Sequence, residues 1–241
     1  MRTRHVMLSD RLRHLRWLSL SCLIGFVLCG CGREESGPSQ ASRVPESFQF
    51  MDIGANTVID SGVRERLRQV LGSDAVDRSA TIDLELKYKG FLREYYPELA
   101  EWNRRLNVND VVRREYPATK LTFRNTRAQK TVFDYVELIY DHGSGCPLLI
   151  KMIVKEEIPE LIKSVKETYG PPQEIPLSGG KSWSLSWRKN KDWFVIARIL
   201  GRYDLPEHHM MIVYTHRLEQ VLARSGNGEG PRKKPGDDLF L

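Results

Sequence analysis

The feature that most constrains this chain is a set of strand-like segments with apolar residues on both faces. Successive side chains of a β-strand point to opposite faces, and the segments Phe133–Tyr140 and Trp193–Leu200 carry apolar residues at both odd and even positions. A sheet built from these strands has two apolar faces. Each face therefore has to be covered, by other parts of the chain or by a partner.

Two helical patterns are candidates for this cover. Apolar residues at helical spacing predict a helix over Glu157–Tyr169, which ends at Gly170. A longer stripe advances in steps of three or four, and Pro97 predicts a break near Tyr96 at which a second helix begins. We expect the first helix to cover one face and the stripe the other. The stripe consists of Leu84, Tyr88, Phe91, Tyr95, Leu99, Trp102 and Leu106.

The order of the patterns predicts the fold class. A helix near Val63–Leu71 comes first, and a short helix over His216–Arg224 closes the domain. The fold class is α+β, with N-terminal helices followed by an antiparallel sheet with one inserted helix, in the order ββ-α-βββ. The predicted strands are Phe133–Tyr140, Leu148–Val154, Trp183–Trp187, Trp193–Leu200 and Met210–Thr215.

The sequence contains one weak internal echo. Arg66–Gly72 and Ser164–Gly170 both end a predicted helix with an aliphatic or aromatic residue followed by glycine. Because glycine is the usual residue just after a helix, helix capping alone accounts for the likeness. We therefore predict no duplication from it.

The distribution of charge argues against nucleic-acid binding. The chain has 37 Lys and Arg, 31 Asp and Glu and a net charge of +6. Five of the arginines lie in the first sixteen residues, where Asp10 is the single acid. The remainder is almost neutral and mixed in sign, so it offers no basic surface to a phosphate backbone.

The amino terminus has the pattern of a secretory signal peptide. The Arg-rich stretch is followed by an apolar run from Trp17 to Leu28. This run is too short for a transmembrane helix, which needs about 20 residues, but it suits the apolar region of a signal peptide.

The residues Leu28-Cys29-Gly30-Cys31 follow this run and resemble the lipobox of bacterial lipoproteins. The resemblance implies that Cys31 is diacylated and becomes the first mature residue, although Cys29 stands where Ala or Ser is more usual. Gly32 and Arg33 follow the acylated residue in place of an Asp. By the sorting behaviour of enterobacterial lipoproteins, this implies the outer membrane rather than the inner one, with the protein facing the periplasm.

These patterns divide the chain into four parts. We predict a signal peptide over 1–30, a flexible tether over 31–47, a single α+β domain over 48–224 and a disordered tail over 225–241. Cys22 and Cys29 are lost with the signal and Cys31 carries the lipid, so Cys146 is the one remaining thiol. The fold then depends on its core and not on disulfides.

Two clusters have residue types that can support catalysis or metal binding. The segment Asp141–Cys146 contains an acid, a base and two nucleophiles, but a glycine-rich hairpin turn does not hold them in catalytic geometry. Glu207, His208, His209 and His216 form a possible metal cluster. Adjacent histidines in a strand point to opposite faces, so we favour loop histidines and predict neither catalytic nor metal-binding residues, and no cofactor.

Three tryptophans form a possible ligand platform, because aromatic side chains can anchor sugars or peptides. They are Trp183, Trp187 and Trp193. The alternative is that these residues belong to the core, as aromatics at strand spacing commonly do.

The stretch from Leu84 to Tyr214 resembles an uncharacterised family of proteobacterial lipoproteins, which implies a location and no activity. The passage from the Glu157–Tyr169 helix into the Trp-bearing strands is also similar to small envelope lipoproteins, including that of the outer-membrane β-barrel assembly machine. Two hypotheses remain. In the first, this is a membrane-anchored envelope lipoprotein whose non-catalytic domain binds or scaffolds a protein partner; in the second, it is an envelope enzyme or metal-binding protein whose site is assembled from distant residues.

Overall fold

The computed structural model describes residues 43–86, 89–107, 113–124, 131–154, 157–177, 181–200 and 205–226, and all of them belong to one compact unit. The helices in these residues are α1 (Ser61–Leu71), α2 (Phe91–Tyr95), α3 (Pro97–Leu106), α4 (Pro159–Tyr169) and α5 (Thr215–Gly226). The strands are β1 (Asp74–Asp77), β2 (Ala80–Thr81), β3 (Glu115–Tyr116), β4 (Ala118–Arg124), β5 (Tyr135–Asp141), β6 (Pro147–Val154), β7 (Gln173–Pro176), β8 (Trp183–Lys189), β9 (Asp192–Leu200) and β10 (Pro206–Val213).

A large antiparallel sheet dominates the fold, which is broadly α+β as predicted. Its eight strands follow the order β1-β4-β5-β6-β10-β9-β8-β7, and β2 pairs with β3 in a small separate ribbon. The sheet has more strands than the predicted ββ-α-βββ order allows: β4–β6 precede the inserted helix α4, and β7–β10 follow it. The prediction missed both edge strands because β1 and β7 are only four residues long and mostly exposed, so they lack an apolar alternation.

Helices cover both faces of the sheet, as its two apolar faces require. One core contains α1 and α4 together with Leu138, Ile150 and Ile196 from the central strands. The other contains α2 and α3 together with Ile139 and Val195, and Leu218 and Val221 add α5 to it. The prediction that the stripe ending at Leu106 covers the face opposite the inserted helix is therefore confirmed.

The break in that stripe lies at the predicted residue. Tyr96, with φ −137° and ψ 68°, separates α2 from α3, and Pro97 begins α3 where its missing N–H costs nothing. Helix formation begins later than predicted, at Phe91. Leu84 is buried but lies in extended chain, where its N–H donates to Asn103 Oδ1 at 2.9 Å. Tyr88 lies outside the described residues.

The segment 44–59, which we call the N-terminal strap, is bound to the α1/α4 face of the domain. Phe48 is fully buried and its ring centroid lies 5.0 Å from that of Tyr169 at the end of α4. Ser47 Oγ donates to Asp192 Oδ2 at 2.5 Å, and Tyr214 Oη lies 3.1 Å from the Phe48 carbonyl. The Val44 N–H bonds to Asn56 Oδ1, so residues on the amino-terminal side of residue 48 also make contacts with the domain.

The sheet and two of the helices show a pseudo-two-fold arrangement that the sequence prediction did not include. The unit α1-β1-β4-β5-β6 and the unit α4-β7-β8-β9-β10 occupy mirrored positions in the strand order and meet at the β6–β10 pair. Both helices have eleven residues and lie on the same face. Gly72 and Gly170 end them with φ of 90° and 82°, a backbone conformation that favours glycine.

The two units also share an ion pair. Four residues before each glycine, Arg68 and Lys166 bond a carboxylate on the following edge strand, Asp74 and Glu174 respectively. The echo between the two helix ends therefore falls at equivalent positions of the two units. The arrangement is not evident in the sequence, because α2 and α3 are inserted between β1 and β4 of the first unit alone.

Candidate binding groove

The three tryptophans of the predicted platform do not lie on one surface. Trp183 and Trp187 contribute to the core on the α1/α4 face, whereas Trp193 belongs to the core on the opposite face. The sheet separates them. Phe194 on β9 pairs with Trp187 and shares its face, so the neighbouring Trp193 points to the opposite face. A single platform made by all three side chains is therefore ruled out.

Two of the three tryptophans are core residues. Trp187 donates its Nε1–H to the Gly170 carbonyl at 2.8 Å and packs on Phe194 with a ring separation of 5.6 Å. Trp193 is buried beside Tyr96, and the Arg188 guanidinium lies 5.1 Å from the centre of its ring. Both side chains stabilise the fold, as the core interpretation expects for aromatics at strand spacing.

Trp183 differs, because it is half-buried and lines a surface groove of about 780 Å³ beside α4. Its ring lies 5.9 Å from that of His208 at the start of β10. Helix α4 contributes residues from three successive turns on one side, which makes the groove elongated along the helix. The groove is lined by Glu157, Pro159, Ile162, Lys163, Lys166, Glu167 and Trp183.

The groove combines an apolar surface with charges of both signs. Trp183, Ile162 and Pro159 supply the apolar part. Lys163 and Glu167 are exposed on α4, and Lys166 is half-buried and paired with Glu174 at 3.2 Å. A groove of this kind suits an apolar side chain that is flanked by polar groups, which is how short protein segments commonly bind.

The acid at one end of the groove is already engaged by the protein. Glu157 Oε1 accepts from Arg198 at 2.7 Å, and this hydrogen bond lowers the pKa of the carboxyl. Glu157 Oε2 lies 3.7 Å from His208 Nε2. Arg198 therefore offsets the negative charge of Glu157 within the domain.

The pseudo-two-fold arrangement provides an internal comparison for this groove. When Gly72 is matched with Gly170, Ile162 of α4 corresponds to Arg64 of α1. The Arg64 side chain bonds Asp74 at 2.6 Å and contributes to the ion pairs beside α1. On the strands next to the two edge strands, Trp183 of β8 corresponds to Leu121 of β4 when the ion-paired acids Glu174 and Asp74 are matched. Leu121 is fully buried. The second unit therefore has apolar and partly accessible side chains where the first has a charged and a buried one.

The predicted hairpin loop at Asp141–Cys146 is confirmed, and its polar groups have structural partners. Asp141 accepts from the Ser144 N–H and from Arg224, both at 2.8 Å, and these bonds lower its pKa although burial opposes ionisation. Cys146 is buried, and His142 Nδ1 lies 3.5 Å from Thr119 Oγ1. The acid that a triad would need is thus tied to an arginine and to the turn itself.

The side chains of His208, His209 and His216 do not lie together. His208 and His209 are inside β10 and not in a loop before it, because the strand begins at Pro206. As expected for neighbours in a strand, they face opposite sides of the sheet, and His216 is at the start of α5. In the described part of the chain, no group of three or more His, Cys, Asp or Glu side chains is placed to hold a metal ion.

The sequence analysis missed a half-buried lysine beneath the insertion that carries α2 and α3. The Lys151 ammonium on β6 donates to the Glu85 carbonyl at 2.7 Å, and burial lowers its pKa. Glu137, Asp83 and Glu85 supply negative charge nearby. Lys151 therefore fastens the insertion to the sheet. The indication in the sequence was Lys151 itself, a single charged residue inside the otherwise apolar Leu148–Val154 segment.

No family model matches this chain, and the searches of curated proteins and of solved structures found no similar protein. None of the helices in the described residues is both long and apolar enough to cross a membrane. The predicted acylation site, Cys31, lies outside the described residues.

Proposed function

We propose that this protein is a lipid-anchored protein of the bacterial cell envelope, tethered through Cys31, whose domain binds a protein partner in the α4 groove. The observation that supports the groove most directly is the difference between the two pseudo-symmetric units. Both helices have an ion pair to the following edge strand, but only α1 has a second one, through Arg64, at the position where α4 has Ile162. Ile162 and Trp183 are partly accessible and line the groove.

The character of the partner follows from the groove. An apolar side chain on Trp183 and Ile162 removes apolar surface from water, which contributes about 25 cal/mol for each Å² buried. Polar groups on the same segment would meet Lys163 and Glu167, which are exposed on α4, whereas Lys166 is already paired with Glu174. The partner is therefore a protein segment with a large apolar side chain flanked by polar residues, and the domain binds it without catalysing a reaction.

The location of the binding site differs from what the sequence alone suggested. From the sequence, a partner could have covered one of the two apolar faces of the sheet. Helices and the strap cover those faces in the described residues. Both edge strands are short: β1 begins and ends with Asp, and β7 ends at Pro176. Such features discourage pairing with another strand, so the α4 groove is the better binding surface.

The anchor is tested by replacing Cys31 with Ser in cells. We expect an unprocessed precursor that incorporates no labelled fatty acid, because the lipobox cysteine supplies the thiol that is acylated. A Cys29→Ser variant is the matched control and should be processed and labelled normally. Normal processing of the Cys31→Ser protein would refute the anchor.

The groove is tested by site-specific photocrosslinking in cells. A photoreactive amino acid at Lys163 should yield an adduct with one envelope protein, whereas the same group at Glu65, the corresponding position on α1, should not. The adduct should disappear when Ile162 is replaced by Glu. Equal adducts from both helices, or none from Lys163, would contradict the assignment.

A further inference from the structure

A cationic hairpin turn lies beside the point where the N-terminal strap joins the domain. The turn between β8 and β9, which we call the β8–β9 turn, has the sequence Arg188-Lys189-Asn190-Lys191, and all four residues are exposed. Asn190 and Lys191 have φ of 52° and 68°, as in the tight turns that join twisted strands. The turn therefore holds the backbone of its two lysines in a fixed place at one end of the sheet.

The strap is bonded directly to this turn. The Asn190 side chain donates to the Glu46 carbonyl at 2.8 Å, and Ser47 Oγ donates to Asp192, the residue that follows the turn. Arg43 is exposed and lies three positions before Glu46. The chain that leads to the proposed lipid anchor therefore joins the domain at the end of the sheet that carries the turn.

The acids at this end are mostly engaged within the domain. Glu98 pairs with Arg188 at 2.6 Å, so these two charges offset each other. Asp192 is almost fully buried, accepts hydrogen bonds from the strap and from α5, and lies 4.0 Å from His216. Glu46 is exposed, and its carboxylate accepts a hydrogen bond within the strap at 2.7 Å.

Three exposed cations at this end have no ion-pair partner in the described part of the chain. They are Lys189, Lys191 and Arg43. With Glu46 as the exposed acid beside them, the local surface keeps an excess of positive charge. Nucleic-acid binding usually engages more phosphates than three cations can neutralise. A bilayer that contains anionic lipids is a better match, because each Lys or Arg near its surface adds to the attraction.

We propose that the β8–β9 turn and Arg43 form a membrane-facing surface that contacts anionic lipid headgroups and orients the domain with this end toward the bilayer. The inference rests on the proposed anchor at Cys31, which holds the domain near the membrane. Residues 32–42 number eleven, and a chain of that length spans at most about 40 Å. Because the tether joins the domain beside the turn, a weak electrostatic attraction is sufficient to orient it.

The test uses the full-length protein, with its acylation verified by mass spectrometry, in vesicles of phosphatidylethanolamine and phosphatidylglycerol. A fluorophore on Gln173→Cys reports on the turn, because Gln173 pairs with Ser186 near the end of β8. Cys146 is buried and does not compete for the label. Lipids that carry a nitroxide on the headgroup should quench this fluorophore. The same fluorophore on Lys181→Cys, which lies about 15 Å farther from the turn, should be quenched clearly less.

Charge reversal separates an electrostatic contact from the effect of the tether alone. Lys189→Glu combined with Lys191→Glu should lower the quenching at Gln173 to the level of the Lys181 probe. Arg66→Glu combined with Lys181→Glu makes the same change in net charge at exposed positions away from the turn, and should leave the quenching at Gln173 unchanged. The wild-type signal should also fall in phosphatidylcholine vesicles, and at about 1 M salt, where the Debye length is about 3 Å.

The outcomes separate this inference from the proposed function. Equal quenching at Gln173 and Lys181, or a signal that responds to neither charge reversal nor lipid charge, would overturn the membrane-facing surface and leave the anchor and the groove standing. So would a photoreactive group at Lys189 that crosslinks in cells to a protein and not to lipid. A purified protein without acyl chains would overturn the anchor and this inference together.

Discussion

Replacing Phe48 with Ala tests whether the N-terminal strap is an integral part of the fold. The Phe48 side chain is fully buried and contacts Tyr169 and Phe194, with ring separations of 5.0 and 5.8 Å. Removing a buried Phe side chain typically costs about 3–5 kcal/mol, because the transfer free energy is lost and a cavity remains. In a domain of about 180 residues, that loss lowers the melting temperature by about 6–20 °C.

The assay is urea unfolding followed by circular dichroism, with Val58→Ala as the matched control. Val58 lies in the same segment but is half exposed, so its truncation should change the free energy of unfolding by no more than about 0.5 kcal/mol. The denaturant slope should stay constant if both proteins unfold as one unit. A Phe48→Ala loss below about 1 kcal/mol would show that the strap is not coupled to the core, and the reasoning would fail.

Three other substitutions probe different parts of the structure. Gly145→Ala should cost about 1–3 kcal/mol, because φ is +69° and a Cβ would lie 2.9 Å from a Val58 methyl; Gly143→Ala in the same turn should cost clearly less, and equal losses in thermal melts would contradict this. Trp102→Ala should cost about 3–5 kcal/mol in urea unfolding, since the ring joins the second core. Burial raises the pKa of Asp192, although hydrogen bonds to its carboxylate oppose the shift. The carboxyl therefore binds its proton more tightly in the folded protein than in the unfolded chain, and its ionisation lowers the free energy of unfolding as the pH rises above about 4. The free energy of unfolding of Asp192→Asn should therefore improve relative to wild type between pH 4 and pH 7, and a constant difference would refute the assignment.

Much of the central fold could be predicted from local periodicity. The segments Leu148–Val154 and Trp193–Leu200 correspond to β6 and β9 within a residue, and α4 begins two residues after its predicted start. These elements are long and apolar, so their patterns are strong. The break at Tyr96 followed directly from the steric requirements of Pro97.

Other parts depend on contacts between residues distant in sequence, which periodicity does not report. The sequence up to Ser47 is polar and predicts a flexible tether, yet the Ser47 hydroxyl bonds to Asp192, which is 145 positions away. Trp183 and Trp187 look equivalent in the sequence, and only the packing of α4 separates an accessible ring from a buried one. The groove itself required the α4 and β8 elements to be placed side by side.

The way in which the strap is joined to the domain has a mechanical consequence. A pulling force applied at Val44 would load its bond to Asn56 and the bond between Ser47 and Asp192 before it reached α1. Behind that bond, the buried Arg217 guanidinium holds the Ala55 carbonyl at 3.0 Å and Asn56 Oδ1 at 2.7 Å. Several contacts therefore share the load: a pull on the strap acts first on β9 through Asp192 and on the end of α4 through Phe48 and Tyr169, and then on α5 through Arg217.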